Sequence, residues 1–412
     1  MNFYNLLMSQ TKILGEKMFL QIDEKIFTYS NFLSDVDSCE INFDGDEIFI
    51  SEKNFYNQAV KFFAAQKFNK KPIILHEKMT ADDINFSHGG EKDILGVLTS
   101  GTTGKLKILY RTYESWADFF PEQNKIFKIF SSSKIFIHGS LSFTGNLNVF
   151  LSILFVGGTI LTSEKFSIKN WQNLIKTATN IYLVPTKLRF LIKGEKIFGV
   201  KSIFTGSQIL TEKQSHDLMK KFPNAEIILY YGASELNYIT YKKIDEKNIC
   251  DVKNLGKTFS GVEIEIRENF IYVKNNFHVS GIKIPYSVGD CGHLDEQGNL
   301  IFEGRGEDFI NCGGVKINAV NIETKLLKIP EVEAAAVVKI SDEIRGENFK
   351  IYLVAPKNIR PLVRKILSPV EMPKEIIFVE SLPLNDRGKI DKKFLISCGK
   401  KHTNELNNRQ CK

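Results

Sequence analysis

The residues best suited to chemistry stand together in one nine-residue segment, Thr99 to Lys107, which reads TSGTTGKLK. It follows an apolar run at residues 94–98 that is typical of a buried strand. Glycine tolerates positive φ, and successive backbone N–H groups in such a turn form a concavity that binds anions. The segment therefore suits a polyphosphate, although Ser, Thr and Gly clusters also form ordinary turns. Its candidate ligands are Thr99, Ser100, Gly101, Thr102, Thr103, Gly104 and Lys107.

The spacing of the two glycines excludes a Walker A loop. That motif has four residues between its glycines, followed by Lys and then Ser or Thr. Here only Thr102 and Thr103 separate Gly101 from Gly104, and Leu106 occupies the position after Lys105. If the segment binds phosphate, it does so as a loop of a different kind.

An aromatic residue, a glycine and a carboxylate follow the predicted strand at residues 226–229, in the motif YGASE. Tyr231 could stack on a nucleotide base, and Gly232 leaves room for a close approach. Glu235 could bind Mg²⁺, which takes carboxylate oxygens and keeps substrate phosphates as further ligands. A buried tyrosine beside an exposed glutamate would be the simpler interpretation.

Three later motifs add charged residues. Asp290 follows Gly289 in VGD, where a carboxylate can accept hydrogen bonds from ribose hydroxyls. Arg305, in GRGEDFI at residues 304–310, could reach a ribose or a phosphate, and Lys389 lies in PLNDRGKID near the end of the chain. Taken alone, each motif also has a simpler explanation. Asp290 could be an ordinary turn residue, Arg305 part of a linker and Lys389 a solvated lysine, because single motifs give false positives.

The order of these motifs resembles that of the adenylate-forming enzymes, which include acyl-CoA synthetases, nonribosomal-peptide adenylation domains and luciferases. The family's phosphate loop, TSGTTGxPK, is similar to TSGTTGKLK. Its YGxTE, TGD and GRxxDxI motifs resemble YGASE, VGD and GRGEDFI, and its terminal PxxxxGKID is similar to PLNDRGKID. Five motifs in the family's order extend over most of the chain.

The resemblance implies a role for each motif. The phosphate loop would hold the β- and γ-phosphates of ATP, while Glu235 and a loop hydroxyl such as that of Thr102 would bind Mg²⁺. Lys389 would reach the substrate carboxylate and the α-phosphate, so the implied catalytic residues are Lys389, Glu235 and Thr102. The adenine and ribose would be held by Gly206, Ser207, Tyr231, Gly232, Asp290 and Arg305.

The same resemblance implies two domains, one of which moves. Residues 1–304 would form a large adenylation core with a trimmed first subdomain, and residues 305–412 a small lid domain that turns about Glu307 or Asp308. After that rotation the lid would present a second face to a phosphopantetheine thiol of coenzyme A or of a carrier protein acting in trans. The residues implied on that face are Gly313, Gly314 and Lys316.

Departures from the family pattern narrow the expected substrate. Leu106 stands at the usual proline of the phosphate loop, and Val288 replaces the threonine of TGD. The acyl pocket would be lined by Ser142, Phe143 and Thr144, where many acyl-CoA synthetases have an aromatic–His pair. Amino-acid-activating members bind the substrate ammonium with an aspartate here, so we expect an aryl or medium acyl acid.

Hydrophobic patterning predicts an α/β fold. Short apolar runs alternate with helix-length segments between residues 108 and 290, which indicates a mainly parallel sheet with helical crossovers. Ligands of such sheets bind beyond the carboxyl ends of the strands. A small antiparallel region begins near residue 255, and a small mobile α+β domain follows it.

Composition limits the class of protein. The 412 residues carry a net charge of +7 without a run of five basic residues, so no nucleic-acid partner is expected. The six cysteines form no CxxC pair, which argues against a zinc ribbon and suits a reducing compartment. The first 20 residues lack a signal-peptide pattern, and the longest apolar stretch, residues 149–161, is too short to span a bilayer. We therefore expect a cytoplasmic protein without a stable membrane anchor.

These observations predict an AMP-forming acid–thiol ligase. Catalysis would consist mainly of positioning two anions and neutralising their charge. Two alternatives stay open: an amino-acid adenylation enzyme, and a non-catalytic relative that binds nucleotide without releasing pyrophosphate.

Overall fold

The computed structural model describes residues 1–42, 45–76, 79, 83–100, 106–306, 309–384 and 390–398, with the backbone alone of Ser100, Lys316 and Cys398. The chain forms two units. The first comprises Met1–Ile249, Gly256–Ile264 and Val273–Tyr286, and the second Cys250–Leu255, Glu265–Tyr272 and Ser287–Lys412. The expected boundary after residue 304 derives from the hinge motif and stays a prediction.

Helices and strands alternate through most of the first unit, as the patterning predicts. The strands are β1 (Met18–Ile22), β2 (Lys25–Thr28), β3 (Glu47–Ile50), β4 (Lys71–Ile74), β5 (Ile84–Asn85), β6 (Leu95–Ser100), β7 (Leu106–Arg111), β8 (Lys134–Ile137), β9 (Thr159–Thr162), β10 (Asn180–Tyr182), β11 (Ser202–Gly206), β12 (Glu226–Ala233), β13 (Asn237–Ile244) and β14 (Lys257–Thr258). The helices are α1 (Phe3–Leu14), α2 (Tyr29–Ser38), α3 (Phe55–Lys67), α4 (Glu114–Ala117), α5 (Phe120–Phe127), α6 (Thr144–Val156), α7 (Ile168–Ile175), α8 (Pro185–Leu188) and α9 (Glu212–Lys221).

The larger sheet of this unit has nine strands within the described ranges, in the order β14-β13-β12-β11-β10-β8-β9-β1-β2. The strands from β12 to β1 pair in parallel, whereas the pairs at both edges are antiparallel. Strands β8 to β11 are almost wholly buried, which explains why they appear in the sequence as continuous apolar runs. The expected mainly parallel sheet is confirmed.

The larger sheet differs from the sequence-based expectation at its edges. Strand β12 continues to Ala233 instead of ending at residue 229, because it pairs with β11 on one side and with β13 on the other. Strand β10 ends at Tyr182, although the apolar run that predicts it continues to Val184. The pairing of β1 with β9 adds the amino-terminal segment to this sheet, which the sequence pattern does not predict.

The smaller sheet carries the segment that flanks the predicted phosphate loop. Its order is β3-β4-β6-β7-β5. Helix α3 lies between β3 and β4 and begins after Asn54, whose side chain accepts a hydrogen bond from the backbone N–H of Asn57. Strands β6 and β7 form an antiparallel pair, so the predicted loop joins the two strands of a hairpin.

The remaining elements begin at residue 263. The strands are β15 (Glu263–Arg267), β16 (Phe270–Lys274), β17 (Asp290–Leu294), β18 (Leu300–Arg305), β19 (Phe309–Cys312), β20 (Val315–Asn318), β21 (Ala334–Asp342), β22 (Gly346–Val354) and β23 (Glu375–Phe378); the helices are α10 (Ala319–Leu326), α11 (Arg360–Ile366) and α12 (Lys392–Cys398). Strands β15 to β18 form one sheet in chain order with antiparallel pairs, which confirms the expected small antiparallel region. The other sheet has the order β20-β19-β22-β21, and β23 pairs in parallel with β22.

A separate core holds the carboxyl-terminal sheet and helices together. Its fully buried side chains include those of Ile322, Leu326, Phe349, Ile351 and Val363. The expected small α+β region is therefore confirmed. No helix in the described part of the chain is long and apolar enough to cross a membrane.

Candidate active site

The carboxyl ends of β11 and β12 bring together residues predicted to bind adenine. Gly206 pairs directly with Tyr230, so the Gly206–Ser207 turn lies beside Tyr231. A Cβ atom at Gly206 would lie 2.5 Å from the carbonyl oxygen of Tyr230, which makes glycine necessary there. Ser207 has a positive φ of 66°, which turns the chain away from the strand.

The YGASE motif forms a bulge followed by a tight turn. The register of β12 and β13 shifts between Tyr231 and Gly232, and a Cβ atom at Gly232 would lie 2.6 Å from the carbonyl oxygen of Asn237. The turn closes where the N–H of Leu236 donates to the carbonyl of Ala233. Since bulges redirect side chains at strand ends, this geometry places Glu235 in the turn beyond the sheet.

The turn before α6 leads into the predicted acyl-pocket residues. Hydrogen bonds from one residue of α3 hold this turn in place. Buried Gln58 donates from Nε2 to Ser140 Oγ at 2.9 Å and accepts from the N–H of Leu141 at 2.9 Å. Ser140 Oγ also donates to Ser142 Oγ at 2.8 Å. Gln58 thereby fixes the turn that leads into Phe143, a role that no local sequence pattern indicates.

Phe143 and Thr144 are both half-buried and point to different neighbours. The Phe143 ring packs edge-on against His76, with ring centroids 5.4 Å apart. Thr144 Oγ1 lies 3.2 Å from Ser234 Oγ in the YGASE turn. The structure therefore brings the predicted acyl loop and the predicted nucleotide motif into direct contact.

Two buried tyrosines lie behind this contact. Tyr182 Oη and Tyr230 Oη are 3.0 Å apart, and burial raises the pKa of both phenols. Tyr182 occupies the space beside Gly145, where an added Cβ atom would lie only 2.0 Å from its Oη. Tyr182 was not predicted as a site residue. It lies in a short apolar strand, and no local pattern shows that its phenol contacts the start of α6.

Arg111, the last residue of β7, is a further residue that the sequence analysis missed. Its side chain is completely buried. Nη2 donates to the carbonyl of Ser234 at 2.6 Å, and Nη1 donates to the carbonyl of Phe277 at 3.0 Å. The guanidinium also lies over the ring of Trp116, 5.1 Å from its centroid. Both carbonyls are more than 120 positions away in the sequence, so no local pattern could reveal these contacts.

The predicted phosphate loop is described only at its two ends. Thr99 and Lys107 are paired residues of the β6–β7 hairpin, and Ser100 pairs with Leu106. Lys107 is exposed and Thr99 is half-buried. The loop residues Gly101, Thr102, Thr103, Gly104 and Lys105 lie outside the described residues.

Asp290 and Arg305, the predicted ribose ligands, lie together in the second unit. They are directly paired in the β17–β18 hairpin, and Arg305 Nε is 3.2 Å from Asp290 Oδ1. Asp290 is only 5% exposed, whereas the arginine side chain is about half exposed. Gly289 has a φ of 84°, and its carbonyl accepts from the N–H of Gly306.

The residues predicted to face the thiol lie in a hairpin. Gly313 and Gly314 form the tip between β19 and β20, with φ values of 61° and 88° that suit a two-residue turn. The backbone of Lys316 lies in β20, and its side chain is outside the described set. The predicted hinge residues Glu307 and Asp308 and the predicted catalytic Lys389 also lie outside the described residues.

The surroundings of Glu235 fit a magnesium ion. Its carboxylate is half-buried, and within the described part of the chain it makes neither a hydrogen bond nor an ion pair. Burial raises the pKa of Tyr286, and the negative charge of Glu235 raises it further. No group of three or more metal-binding side chains is found among the described residues. One carboxylate combined with substrate phosphates is an ordinary protein environment for Mg²⁺.

Two family models match this chain. The model described as AMP-binding enzyme matches residues 45–273, and the model described as AMP-binding enzyme C-terminal domain matches residues 321–389. The first match alone covers more than half of the chain and includes the YGASE turn and the acyl loop. The second covers most of the carboxyl-terminal sheet and extends to Lys389.

Individual proteins agree with these matches. The uncharacterized acyl–CoA ligase YhfT of Bacillus subtilis (strain 168) is 34% identical over 317 residues, which cover 71% of this chain and 66% of that protein. The D-alanine–D-alanyl carrier protein ligase of Lactococcus lactis is 24% identical, over 78% of this chain and 73% of its own. The ATP-bound crystal structure of MatB from Rhodopseudomonas palustris has the same fold, with a TM-score of 0.82, 18% identity, and coverage of 97% of this chain and 99% of that one. The chain therefore belongs to the AMP-binding enzyme family and is an AMP-forming ligase.

Proposed function

We propose that this ligase activates an aryl or medium acyl carboxylic acid as its acyl-adenylate and transfers the acyl group to a phosphopantetheine thiol. The observation that carries the proposal is the contact between Thr144 and Ser234. It joins the turn suited to an acyl group to the motif suited to a nucleotide, at the edge of the sheet where ligands of parallel sheets bind. An acid and ATP bound on the two sides of this contact would meet at their reacting atoms.

The first step joins two anions, so its chemistry depends on position and charge. A carboxylate oxygen of the acid attacks the α-phosphorus of ATP, and the bond to pyrophosphate breaks. Tyr231 would stack on the adenine beside Gly206, Asp290 and Arg305 would hold the ribose, and Lys389 would neutralise the carboxylate and the α-phosphate. Bound Mg²⁺, held by Glu235 and a loop hydroxyl such as that of Thr102, would supply positive charge near the phosphates.

The second step consumes the adenylate. The thiol sulfur attacks the acyl carbonyl carbon, the bond to the AMP oxygen breaks, and the thiol proton passes to solvent. The Gly313–Gly314 hairpin tip is exposed and carries no side chain that would block an incoming thiol, and we assign this tip and Lys316 to the approach of the pantetheine. The acceptor is coenzyme A or a carrier protein acting in trans.

The acid selectivity follows from the composition of the acyl loop. Residues 139–147 include no Asp or Glu that could bind a substrate ammonium. The pocket side of the loop instead offers the half-buried ring of Phe143 and the hydroxyl of Thr144. We therefore assign the enzyme to acids without an α-amino group.

Pyrophosphate release measured with ATP, Mg²⁺ and a panel of benzoates, fatty acids and amino acids tests this assignment. A signal with an aryl or medium acyl acid is expected. A signal confined to amino acids would replace the proposed substrate class, and ATP binding without pyrophosphate release from any acid would favour a non-catalytic protein. Adding coenzyme A or a purified carrier protein to the productive acid then identifies the acceptor.

The assignment of Lys389 has its own test. Lys389→Ala should nearly abolish pyrophosphate release, because no other group is assigned to the α-phosphate, while ATP binding and the unfolding midpoint stay close to those of the wild type. Lys393→Ala removes an exposed lysine of α12 and is the matched control. Equal activity of the two variants would remove Lys389 from the proposed mechanism.

A further inference from the structure

We propose that Arg111 is a positioning residue for the carboxylate of Glu235. This inference rests on the proposed role of Glu235 as the magnesium ligand and goes beyond it. Arg111 would act through the polypeptide backbone rather than by touching a substrate. Its guanidinium fixes the turn from which the Glu235 side chain projects.

The first support is the shorter of the two hydrogen bonds that Arg111 donates to backbone carbonyls. Nη2 of Arg111 donates at 2.6 Å to the carbonyl of Ser234, the peptide group that leads directly into Glu235. Hydrogen bonds from a charged donor are shorter and stronger than neutral ones. The backbone orientation immediately before Glu235 is therefore set by a completely buried cation.

The second support concerns the carbonyl of Glu235 itself, which is bound by a segment that Arg111 also holds. Nη1 of Arg111 donates to the carbonyl of Phe277 at 3.0 Å. Two residues later, the N–H of Val279 donates to the carbonyl of Glu235 at 2.9 Å. The carbonyls on both sides of the Glu235 α-carbon are thus occupied, one by Arg111 directly and one by a segment that Arg111 holds.

The third support is the balance of charge. Arg111 makes no ion pair with any described residue, and burying an unpaired cation is costly. Burial lowers the pKa of the guanidinium to about 9, and the negative charge of Glu235 opposes that decrease. The negative charge of Glu235 therefore favours the charged form of Arg111, although the two side chains form no ion pair within the described residues.

The guanidinium group is needed for this geometry. It presents several N–H donors in one rigid plane, which can reach two carbonyls while its face lies on Trp116. A lysine ammonium at the same place would keep the charge but lacks the plane. Arg111→Lys therefore separates the contribution of charge from that of orientation.

Calorimetric titration with ATP, in EDTA and in excess MgCl₂, tests the inference without requiring turnover. The measured quantity is the dissociation constant in EDTA divided by the dissociation constant in MgCl₂. This ratio reports how strongly the metal assists nucleotide binding. Replacing a residue that orients a metal ligand commonly costs 10- to 100-fold in metal affinity. We expect the ratio to fall about tenfold in Arg111→Lys and further in Arg111→Met, with little change in the dissociation constant in EDTA.

Lys221→Met is the matched control. Lys221 is also a buried cation of the first unit, and it donates to the carbonyls of Lys193 and Glu195, away from the YGASE turn. Its replacement should lower the unfolding temperature and leave the metal-dependent ratio unchanged. If Arg111→Met fails to fold, Arg111→Lys and this control still decide the question.

Glu235→Gln separates failure of the inference from failure of the proposed function. If its ratio equals that of the wild type, Glu235 is not the magnesium ligand and the proposed role is wrong. If its ratio falls while the ratios of Arg111→Lys and Arg111→Met match that of Lys221→Met, the positioning role of Arg111 is overturned. A ratio that falls in the Glu235 and Arg111 variants but not in Lys221→Met supports both the magnesium role of Glu235 and the positioning role of Arg111.

Discussion

Thr144 Oγ1 and Ser234 Oγ lie 3.2 Å apart, although 90 positions separate the two residues in the chain. Thr144 begins α6, and Ser234 immediately precedes Glu235. The contact therefore couples the start of the helix behind the acyl loop to the turn that carries the proposed magnesium ligand. Changes on the acyl side can reach the nucleotide side through one hydrogen bond.

Removing either hydroxyl should weaken the use of the acid substrate. We expect Thr144→Val and Ser234→Ala each to lower kcat/KM for the acid about fivefold, which corresponds to the loss of roughly 1 kcal/mol from one hydrogen bond. The double variant should be little worse than either single variant, because both remove the same contact. Steady-state pyrophosphate release at saturating ATP measures all three.

The control for this cycle is Thr177→Val, which removes a hydroxyl that donates to the carbonyl of Leu174 at the end of α7. It should leave the kinetics unchanged. Multiplicative losses in the double variant would mean that the two hydroxyls act independently, against the coupling inferred from their distance.

Gly145 is expected to be intolerant of even one added carbon. In Gly145→Ala, the Cβ atom would lie 2.0 Å from Tyr182 Oη, so the phenol must move and lose its hydrogen bond with Tyr230. Overpacking of this kind costs about 1–3 kcal/mol of folding stability. Urea unfolding of the variant measures this loss.

A second substitution checks that explanation. Tyr182→Phe removes the colliding Oη, and the nearest remaining ring atom is 3.1 Å from the added carbon. The double variant should therefore recover part of the stability lost by Gly145→Ala. Gly199→Ala, whose Cβ would have contacts no closer than 3.7 Å, should be nearly neutral. Failure of Tyr182→Phe to relieve Gly145→Ala would show that the collision is not the cause.

His138 should make folding stability depend on pH below neutrality. Burial and, to a smaller extent, the positive charge of Lys187 lower its pKa from 6.5 to about 3, and the negative charge of Asp23 only partly opposes them. Lys187 Nζ lies 3.4 Å from His138 Nδ1 and donates to its carbonyl at 3.0 Å. The folded protein thus holds the imidazole neutral where the unfolded chain would protonate it.

The sign of this dependence follows from proton uptake. Below pH 6.5 the unfolded chain binds a proton that the folded protein does not bind, so stability falls as the pH falls toward 3. Between pH 6.5 and 5 the loss should reach up to about 2 kcal/mol. Urea unfolding at both pH values should show this loss in the wild type and a smaller loss in His138→Leu. His216→Leu replaces an exposed histidine of α9 and should keep the wild-type slope.

Local patterning predicted the central strands well, for a physical reason. Strands β8 and β9 agree within one residue with apolar runs, since strands buried on both faces need continuous apolar residues. Helix α3 begins directly after its Asn54 cap, as capping chemistry predicts. Strand β13 was missed because it contains two lysines and lies at an edge position of the parallel region.

The contacts that shape the candidate site are less accessible to sequence reasoning. Tyr231, Glu235 and Thr144 stand in motifs or beside them, so their residue types were informative. Arg111 and Gln58 act by hydrogen bonds to backbone groups far away in the chain, which leave no pattern in spacing or periodicity. An arginine is also rarely fully buried, so patterning alone assigns it to the surface.

Asp290 provides the last prediction, which concerns the nucleotide rather than the acid. Its carboxylate is buried beside the Arg305 guanidinium, with Oδ1 3.2 Å from Nε, so it is held in one orientation. If it accepts hydrogen bonds from the ribose, the wild type should bind ATP more tightly than 2′-deoxy-ATP or 3′-deoxy-ATP. A hydrogen bond to a charged group is worth about 1.5–3 kcal/mol, which is roughly a 10- to 150-fold preference.

Asp290→Ala should abolish that preference by weakening ATP binding alone. Asp295→Ala, which removes a turn carboxylate of the same hairpin, should preserve it. Equal binding of ATP and both deoxynucleotides by the wild type would instead assign Asp290 a structural role as the partner of Arg305.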